Sequence, residues 1–229
     1  MNKNEFIDKT LKLFKIKNFN ISFLDWQLEI YKNFLQQQNK YMNLTRLDDE
    51  KNIWSNYFFK SIIVYNSIDF TNINTLLDVG SGSGIPGVVL KLFFPNVKLT
   101  LIDSNRKKCY FLQQLIKKIN LNNVETIWQR IENLSKYRQF DLTTAKALAP
   151  VEIVLEMLLP FTKINGLCVV PKSKNFLSEV KNLNQEINQL GGKLICVDYI
   201  KFDNHDFYTI IIKKIVIHLK NIHVIINTC

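Results

Sequence analysis

The segment LLDVGSGSGIPG, residues 76–87, places four of the chain's seven glycines within eight positions, directly after a short apolar run. Each glycine carries an entropic cost on ordering, so so dense a cluster marks a strand-to-helix turn where backbone must approach a ligand closely. A turn of this kind belongs to α/β architecture, in which ligands sit at the carboxyl ends of the strands.

The rest of the chain agrees with that placement. From about residue 75, β-branched runs (TLLDV, VKLTLID, NVETIWQ, FDLTTAKA and GLCVVPK) alternate with helical segments at about 85–94, 104–119, 151–160 and 176–190. Such alternation predicts a mostly parallel, doubly wound sheet. Gly191-Gly192 then opens two β-rich runs, KLICVDYIKF and FYTIIIKKIVIHL, separated by DNHD, which read as a closing hairpin with an antiparallel last strand. Residues 1 to about 70 read instead as helices: Ser22 is positioned to cap a helix carrying Leu24, Leu28, Tyr31 and Leu35 at helical spacing, and the acids at 48–50 precede a second helix with Ile53, Tyr57 and Ser61 on one face. The expected division is a helical cap over 1–72, an α/β domain over 73–214, and an extension over 215–229 with no assigned role.

Two registers compete within the glycine loop. Gly82, Gly84 and Gly87 spell G-x-G-x-x-G, the cradle of a dinucleotide pyrophosphate; Asp78, Gly80, Gly82 and Gly84 spell D-x-G-x-G-x-G, the loop of S-adenosylmethionine-dependent methyltransferases. Both use an acid about twenty residues on for ribose hydroxyls, and Asp103 fills that place in either. Asp78 separates them. A carboxylate at the mouth of the loop repels pyrophosphate and attracts the sulfonium and ammonium of S-adenosylmethionine. Pro86, with no N–H, donates nothing to a phosphate. The methyl donor is therefore the favoured ligand, and an NAD(P)-dependent oxidoreductase is the alternative.

Thirty Lys and Arg against twenty Asp and Glu give a net charge of +10, which draws a protein toward polyanions. A/T-rich coding can itself raise Ile, Asn and Lys together, so the distribution matters more than the total. Residues 76–150 hold eleven basic and five acidic side chains, a surplus of six, while each flanking part has a surplus of two. The excess sits around the glycine loop. No apolar stretch is long enough to cross a bilayer, and the N-terminus lacks a signal-peptide pattern. The four cysteines, Cys109, Cys168, Cys196 and Cys229, follow no metal-ligand spacing and read as reduced, so a cytoplasmic protein is expected. His205, His218 and His223 likewise match no metal pattern, and no metal is expected.

The motifs together resemble the bacterial RsmG family (glucose-inhibited division protein B), the 16S ribosomal RNA guanine-N7 methyltransferases. NKYMNLT (39–45) resembles the family's NKxxNLT, and DVGSGSGIPG (78–87) its DVGSGAGFPG. LIDSNRKKCYFL (101–112) resembles LLDSxxKRxxFL, RIE (130–132) resembles RxE, and FDLTTAKALAP (140–150) resembles FDxVxSRAxA. The likeness runs from about residue 20 to 214. It implies a Rossmann-like class I methyltransferase fold, S-adenosyl-L-methionine as cofactor, and 16S ribosomal RNA or the small ribosomal subunit as partner. Gly80 and Ile85 then match donor-contacting loop residues, Ile131 and Glu132 the adenine side, and Lys146 a position where the family has Arg. The chain departs from the family's RHxxDS, which stands here as Asn56, Tyr57, Lys60 and Ser61, and Ser173 follows Lys172 where the family tends to have Gly. These departures keep a third reading open, a non-catalytic ribosomal-RNA-binding or assembly factor that retains the fold.

Absent motifs narrow the chemistry. Pyrimidine C5 methylation uses a cysteine nucleophile, usually in a Pro-Cys pair, and no cysteine here follows a proline. Exocyclic amine methylation usually relies on [DN]-P-P-[FY] after the fourth strand, where this chain has KALAP. Guanine N7 is an exposed lone pair that attacks without first losing a proton, so alignment alone carries the reaction and no catalytic acid or base is named.

The candidate cofactor residues are thus Gly80, Gly82, Gly84, Ile85, Asp103, Ile131, Glu132 and Lys146, and the candidate RNA contacts Arg106, Lys107, Lys146 and Lys172. In SNRKKCYFLQQLIKK, Cys109, Leu112, Ile116 and Ile119 form an inward stripe, while Arg106, Tyr110, Gln113 and Lys117 share the outer face. Taken alone that face is an ordinary solvated one; beside the donor loop it points to phosphate. Lys172 reads equally as a solvated strand-end lysine. Trp26, Trp54 and Trp128 are expected to fill core, and a monomer is expected.

Overall fold

The structure is a computed structural model that describes residues 1–17, 19–45, 53–135, 137–173, 183–202 and 205–216. The apolar runs past residue 74 become β1 (Thr75–Val79), β2 (Lys98–Asp103), β3 (Val124–Trp128), β4 (Phe140–Thr144) and β5 (Thr162–Ser173), followed by β6 (Gly192–Phe202) and β7 (His205–Lys214). They form one sheet in the order β3-β2-β1-β4-β5-β7-β6. β1 to β5 pair in parallel. β7 runs antiparallel to both β5 and β6, as the closing hairpin predicts. The order turns outward in two directions from β1 and β4, and the crevice above their carboxyl ends is where sheets of this kind take ligands.

Seven helical segments surround the sheet among the described residues: α1 (Lys3–Leu13), α2 (Ile21–Met42), α3 (53–65), α4 (Gly87–Phe93), α5 (Arg106–Lys118), α6 (Val151–Leu158) and α7 (Leu183–Gln189). α3 begins as a wide π turn over Ile53–Phe59 before tightening through Lys60–Ile62 and Ile63–Tyr65. Asn2 and Glu5 close a reciprocal capping box at the start of α1. α2 is capped by Asn20, whose side chain accepts from the Phe23 amide at 3.0 Å, rather than by Ser22, which lies inside the first turn. Asn and Ser cap equally well. Starting two residues earlier adds the bond from the Leu24 amide to the Asn20 carbonyl, at 3.1 Å.

Two cores result. One face of the sheet packs against α1 to α5, with Leu24, Leu28, Tyr31 and Leu35 of α2 fully buried; the other packs against α6 and α7. Full burial of each such leucine contributes roughly 1.5–3 kcal/mol. α5 is covered from two sides. Of its predicted stripe Cys109, Leu112 and Ile119 are buried and Ile116 half-buried, and Phe111 and Leu115 are buried as well, because Phe34 of α2 stacks on Phe111 at 5.2 Å and Gln27 donates to the Ile119 carbonyl at 2.7 Å.

The expectation for the tryptophans needs correcting. Trp54 is in the core, but Trp26 is 40% and Trp128 56% exposed. Trp26 lies on the outer face of α2, stacked on Phe23, and Trp128 ends an edge strand that has neighbours on one side only. The helix start at 48–50, the first part of the helix expected over 176–190, His218, His223, Cys229 and the stretch 217–229 lie outside the described residues. Among the described residues no helix is long and apolar enough to cross a membrane, and no cluster of His, Cys, Asp and Glu could hold a metal ion.

Candidate functional site

β1 delivers Asp78 to the head of the glycine loop, where it is 1% exposed. Its Oδ2 accepts from the Gly87 amide at 3.0 Å, at the start of α4. Its Oδ1 is buried and has no hydrogen-bond partner among the described residues. Burial pushes the Asp78 carboxyl up to about 7, with the Gly87 amide and then the Lys146 charge pulling it down and Asp103 pushing it up. A buried carboxylate oxygen without a donor is costly, and a cationic, donor-bearing ligand relieves that cost.

The loop's own amides answer the question of register. Gly80 and Ser81 donate to the Ile102 carbonyl, Gly82 to Asp103 Oδ2, Gly84 to the Ser81 carbonyl and Gly87 to Asp78. Pyrophosphate binding at such a turn depends on free amides pointing at the anion. These five are already engaged within the protein, beside a carboxylate. The arrangement suits the D-x-G-x-G-x-G reading and disfavours the dinucleotide one.

Gly84 has φ +97°, and a Cβ there would lie 2.7 Å from the Tyr31 hydroxyl, so a side chain is excluded both by backbone conformation and by contact. The reason is the cap. Tyr31 of α2 donates to the Ser83 carbonyl at 2.5 Å, and the Tyr57 hydroxyl of α3 bonds to the Ser83 hydroxyl. Both phenols are buried, and burial raises both above their usual range, Tyr57 in spite of its bond to Ser83. They therefore remain neutral phenols. Sequence reading placed Tyr31 and Tyr57 on apolar helix faces and missed this bracing role. Its only local signal was a phenol where a leucine would have filled the stripe.

Asp103 ends β2, nearly buried, with Oδ2 on the Gly82 amide and Oδ1 on the Asn105 amide at 2.8 Å. It touches the loop directly. Beyond β3, a 3-10 turn over Ile131–Asn133 buries Ile131 in the second core and leaves Glu132 exposed. Ile85 is half-buried against the first core. Lys146 follows β4, also half-buried; burial lowers its ammonium below the usual lysine range while the Asp78 charge pulls it back up. Lys146, Asp78 and Asp103 thus form one electrostatic group at the switch point of the sheet.

The other basic residues divide. Lys172, at the end of β5, donates to the Ala149 carbonyl at 2.8 Å and so ties the strand to the segment after Lys146. Arg106 and Lys107 are exposed in the first turn of α5, and the Arg106 guanidinium lies over the Trp128 ring at 5.1 Å. Where the sequence departs from RHxxDS, Tyr57 holds Ser83, Ser61 donates to the Phe58 carbonyl, and Lys60 lies 3.2 Å from His205 Nδ1. A cleft of about 790 Å³ walled by Phe14, Phe70 and Phe94 lies at the opposite end of the strands and contains none of the predicted site residues.

With this geometry in place, likeness to known proteins becomes informative. A model of the GidB family, rRNA small subunit methyltransferase G, matches residues 25–206. The chain belongs to this family. A Malacoplasma penetrans ribosomal RNA small subunit methyltransferase G is 44% identical over 177 residues, covering 75% of each chain. The relative of that name from Ureaplasma parvum is 40% identical over 193 residues, covering 81% of this chain and 90% of its own, and the one from Dictyoglomus thermophilum is 38% identical over 208 residues, covering 88% and 87%. Among solved structures, a SAM-dependent methyltransferase from Aquifex aeolicus superposes with a TM-score of 0.57 at 16% identity, covering 76% of this chain and 97% of its own. M. jannaschii TYW2 in complex with AdoMet gives 0.50 at 18%, covering 62% and 69%. These structural likenesses establish the class I, Rossmann-like fold.

Proposed function

We propose that the chain is an S-adenosylmethionine-dependent methyltransferase that modifies N7 of a guanine in 16S ribosomal RNA. The observation that carries the reading is the buried Asp78 Oδ1, without a donor among the described residues, at the head of a loop whose Gly80, Ser81, Gly82, Gly84 and Gly87 amides are satisfied within the protein. That is a receptor for positive charge. Family membership over residues 25–206 supports the acceptor class.

In this reading Asp78 offers its open oxygen to the cationic end of the donor, and the turn at Gly80, Gly82 and Gly84 allows close backbone approach. Asp103 receives the ribose hydroxyls, exchanging part of its hold on the Gly82 and Asn105 amides for them. Ile85 adds a loop contact to the donor, and Ile131 supplies apolar contact to the adenine, with Glu132 at its edge. When bound, S-adenosylmethionine supplies an activated methyl group on sulfur. The chain's own task is to hold the guanine so that the N7 lone pair lies in line with the reacting bond; no side chain needs to remove a proton, and positioning supplies most of the rate. Lys146, charged and beside Asp78, orients the RNA at the rim, with Lys172, Arg106 and Lys107 contacting phosphates. Residues 1–72 act as a cap that holds the loop through Tyr31 and Tyr57, and 73–214 as the transferase domain. We place the protein in the cytoplasm and assign it a monomeric state.

The test is incubation of the purified protein with S-adenosylmethionine and small ribosomal subunits, or their deproteinised RNA, followed by borohydride reduction and aniline cleavage. The expected result is one new cleavage at a single guanine in 16S RNA. RNA that stays intact from both substrates rejects the reading, and retained binding to the subunit without labelled methyl transfer would favour the non-catalytic assembly role.

A further inference from the structure

Trp128 is unusual in its setting. Tryptophan is highly buried on average, yet this one is more than half open at the end of the edge strand β3. It is also fixed: its indole N–H donates to the Ser104 carbonyl at 3.1 Å, and the Arg106 guanidinium stacks on the ring at 5.1 Å. The residue paired with Trp128 across the β2–β3 ladder is Asp103, whose carboxylate holds Gly82. The open indole is therefore tied to the cofactor loop through a single strand register.

The surroundings are polar and basic. Ser104, Asn105, Arg106, Lys107 and Arg130 are exposed around it, and Tyr110, one turn along α5 from Arg106, is 62% exposed. Of the nearby carboxylates, Glu132 is exposed, while Asp103 is nearly buried and held by two amides. An apolar protein partner would call for an apolar surround. A flat ring with a guanidinium on it and further cations beside it instead matches a flat base that carries phosphate.

We propose that Trp128 and Arg106 form a stacking platform for one unpaired base of the RNA substrate, with Lys107 and Arg130 contacting its flanking phosphates. The inference rests on the RNA-acceptor reading above and deepens it: the enzyme takes a locally single-stranded segment and holds a second nucleotide besides the target guanine. Base stacking on an aromatic side chain is sequence-tolerant and is lost on truncation to alanine.

The experiment measures methylation of small-subunit RNA against RNA concentration for wild type, Trp128→Ala and Trp128→Phe, together with calorimetric S-adenosylmethionine binding. Trp128→Ala is expected to raise the KM for RNA roughly ten-fold, with unchanged kcat at saturating RNA and unchanged cofactor binding, and Trp128→Phe to recover most of the loss. In protein labelled with 5-fluorotryptophan, the Trp128 resonance, identified by its absence from Trp128→Phe, is expected to shift on adding an unpaired oligoribonucleotide. An unchanged KM with an unshifted resonance overturns the platform while leaving methylation intact. Weakened cofactor binding in Trp128→Ala also overturns it, by placing the indole on the adenine. A wild type that methylates nothing defeats the functional reading instead, and the fluorine shift then still decides whether Trp128 meets RNA.

Discussion

The hydroxyl of Tyr31 on α2 donates to the main-chain carbonyl of Ser83 at 2.5 Å, across 52 positions of sequence and with both residues buried. A helix of the N-terminal part thereby holds the glycine loop proposed to take the cofactor. Tyr31→Phe leaves that carbonyl without its donor, at a cost of about 1–3 kcal/mol. The loss falls on the loop, so cofactor binding is expected to weaken several-fold along with stability. Urea denaturation and calorimetry check the two effects separately; lower stability with unchanged binding would confine Tyr31 to folding.

Gly87 tests the loop from its other end. Its backbone is ordinary for any residue, but an added Cβ would lie 2.6 Å from Asp78 Oδ2 and 2.9 Å from Leu101 Cδ2. Gly87→Ala must push the carboxylate away from the Gly87 amide or shift the start of α4. Overpacking of this kind costs about 1–3 kcal/mol. Since the displaced group is the one proposed to face the donor, S-adenosylmethionine affinity is expected to fall at least about ten-fold, roughly the factor that 1.4 kcal/mol represents. Isothermal titration would show it.

What sequence alone made legible here was what neighbouring residues dictate. β1 is found where TLLDV predicts it, and Asp103 is found at the loop because strand, turn and helix are set by contiguous chemistry. What it hid was decided by distant partners. Phe111 and Leu115 are buried on α5 because α2 covers a second side of the helix, which periodicity within α5 does not encode. Trp128 is open because β3 lies at the sheet's edge, a fact of strand order and not of the residue. The grip of Tyr57 on Ser83 depends on how α3 meets the loop, 26 positions away.

At the opposite end of the sheet, Asp141 joins β4 to β1. Its Oδ2 accepts from the Asn74 amide at 3.0 Å and from the Thr75 amide and hydroxyl at 2.8 Å, and its Oδ1 from Lys163 at 2.7 Å. Burial works to raise this carboxyl, but Lys163 and Thr75 outweigh it and hold it below the usual aspartate range. A depressed folded value means the stabilisation is present above the unfolded pKa and disappears as the pH falls through the folded one. Asp141→Ala is expected to cost about 2 kcal/mol near neutrality. The difference from wild type should shrink in acid, and denaturation series at several pH values would reveal the trend.

Asp78 carries the opposite sign. Its folded value, raised to about 7 by burial, lies above the unfolded one, so the free protein binds the extra proton when folded and its stability declines as pH rises between the two. Cofactor binding as proposed has the reverse preference, because the sulfonium and ammonium would be attracted by the ionised carboxylate. Affinity should therefore climb several-fold from about pH 6 to about pH 8, the range that brackets a group titrating near neutrality, and proton release should appear as a dependence of binding heat on the buffer's ionisation enthalpy. The charged and titratable groups acting on Asp78 are Lys146 and Asp103, and it in turn raises the Tyr31 and Tyr65 phenols. Among the described residues the Gly87 amide and Lys146 favour its ionisation, and of the two Lys146 does so by its charge. Lys146→Met removes that attraction, so the midpoint of the binding profile should move to higher pH, whereas Lys146→Arg should leave it near its original place because the charge is kept. A Lys146→Met midpoint that stays put would mean the ammonium does not act on Asp78, and with it would go the electrostatic account of how the loop selects a cation.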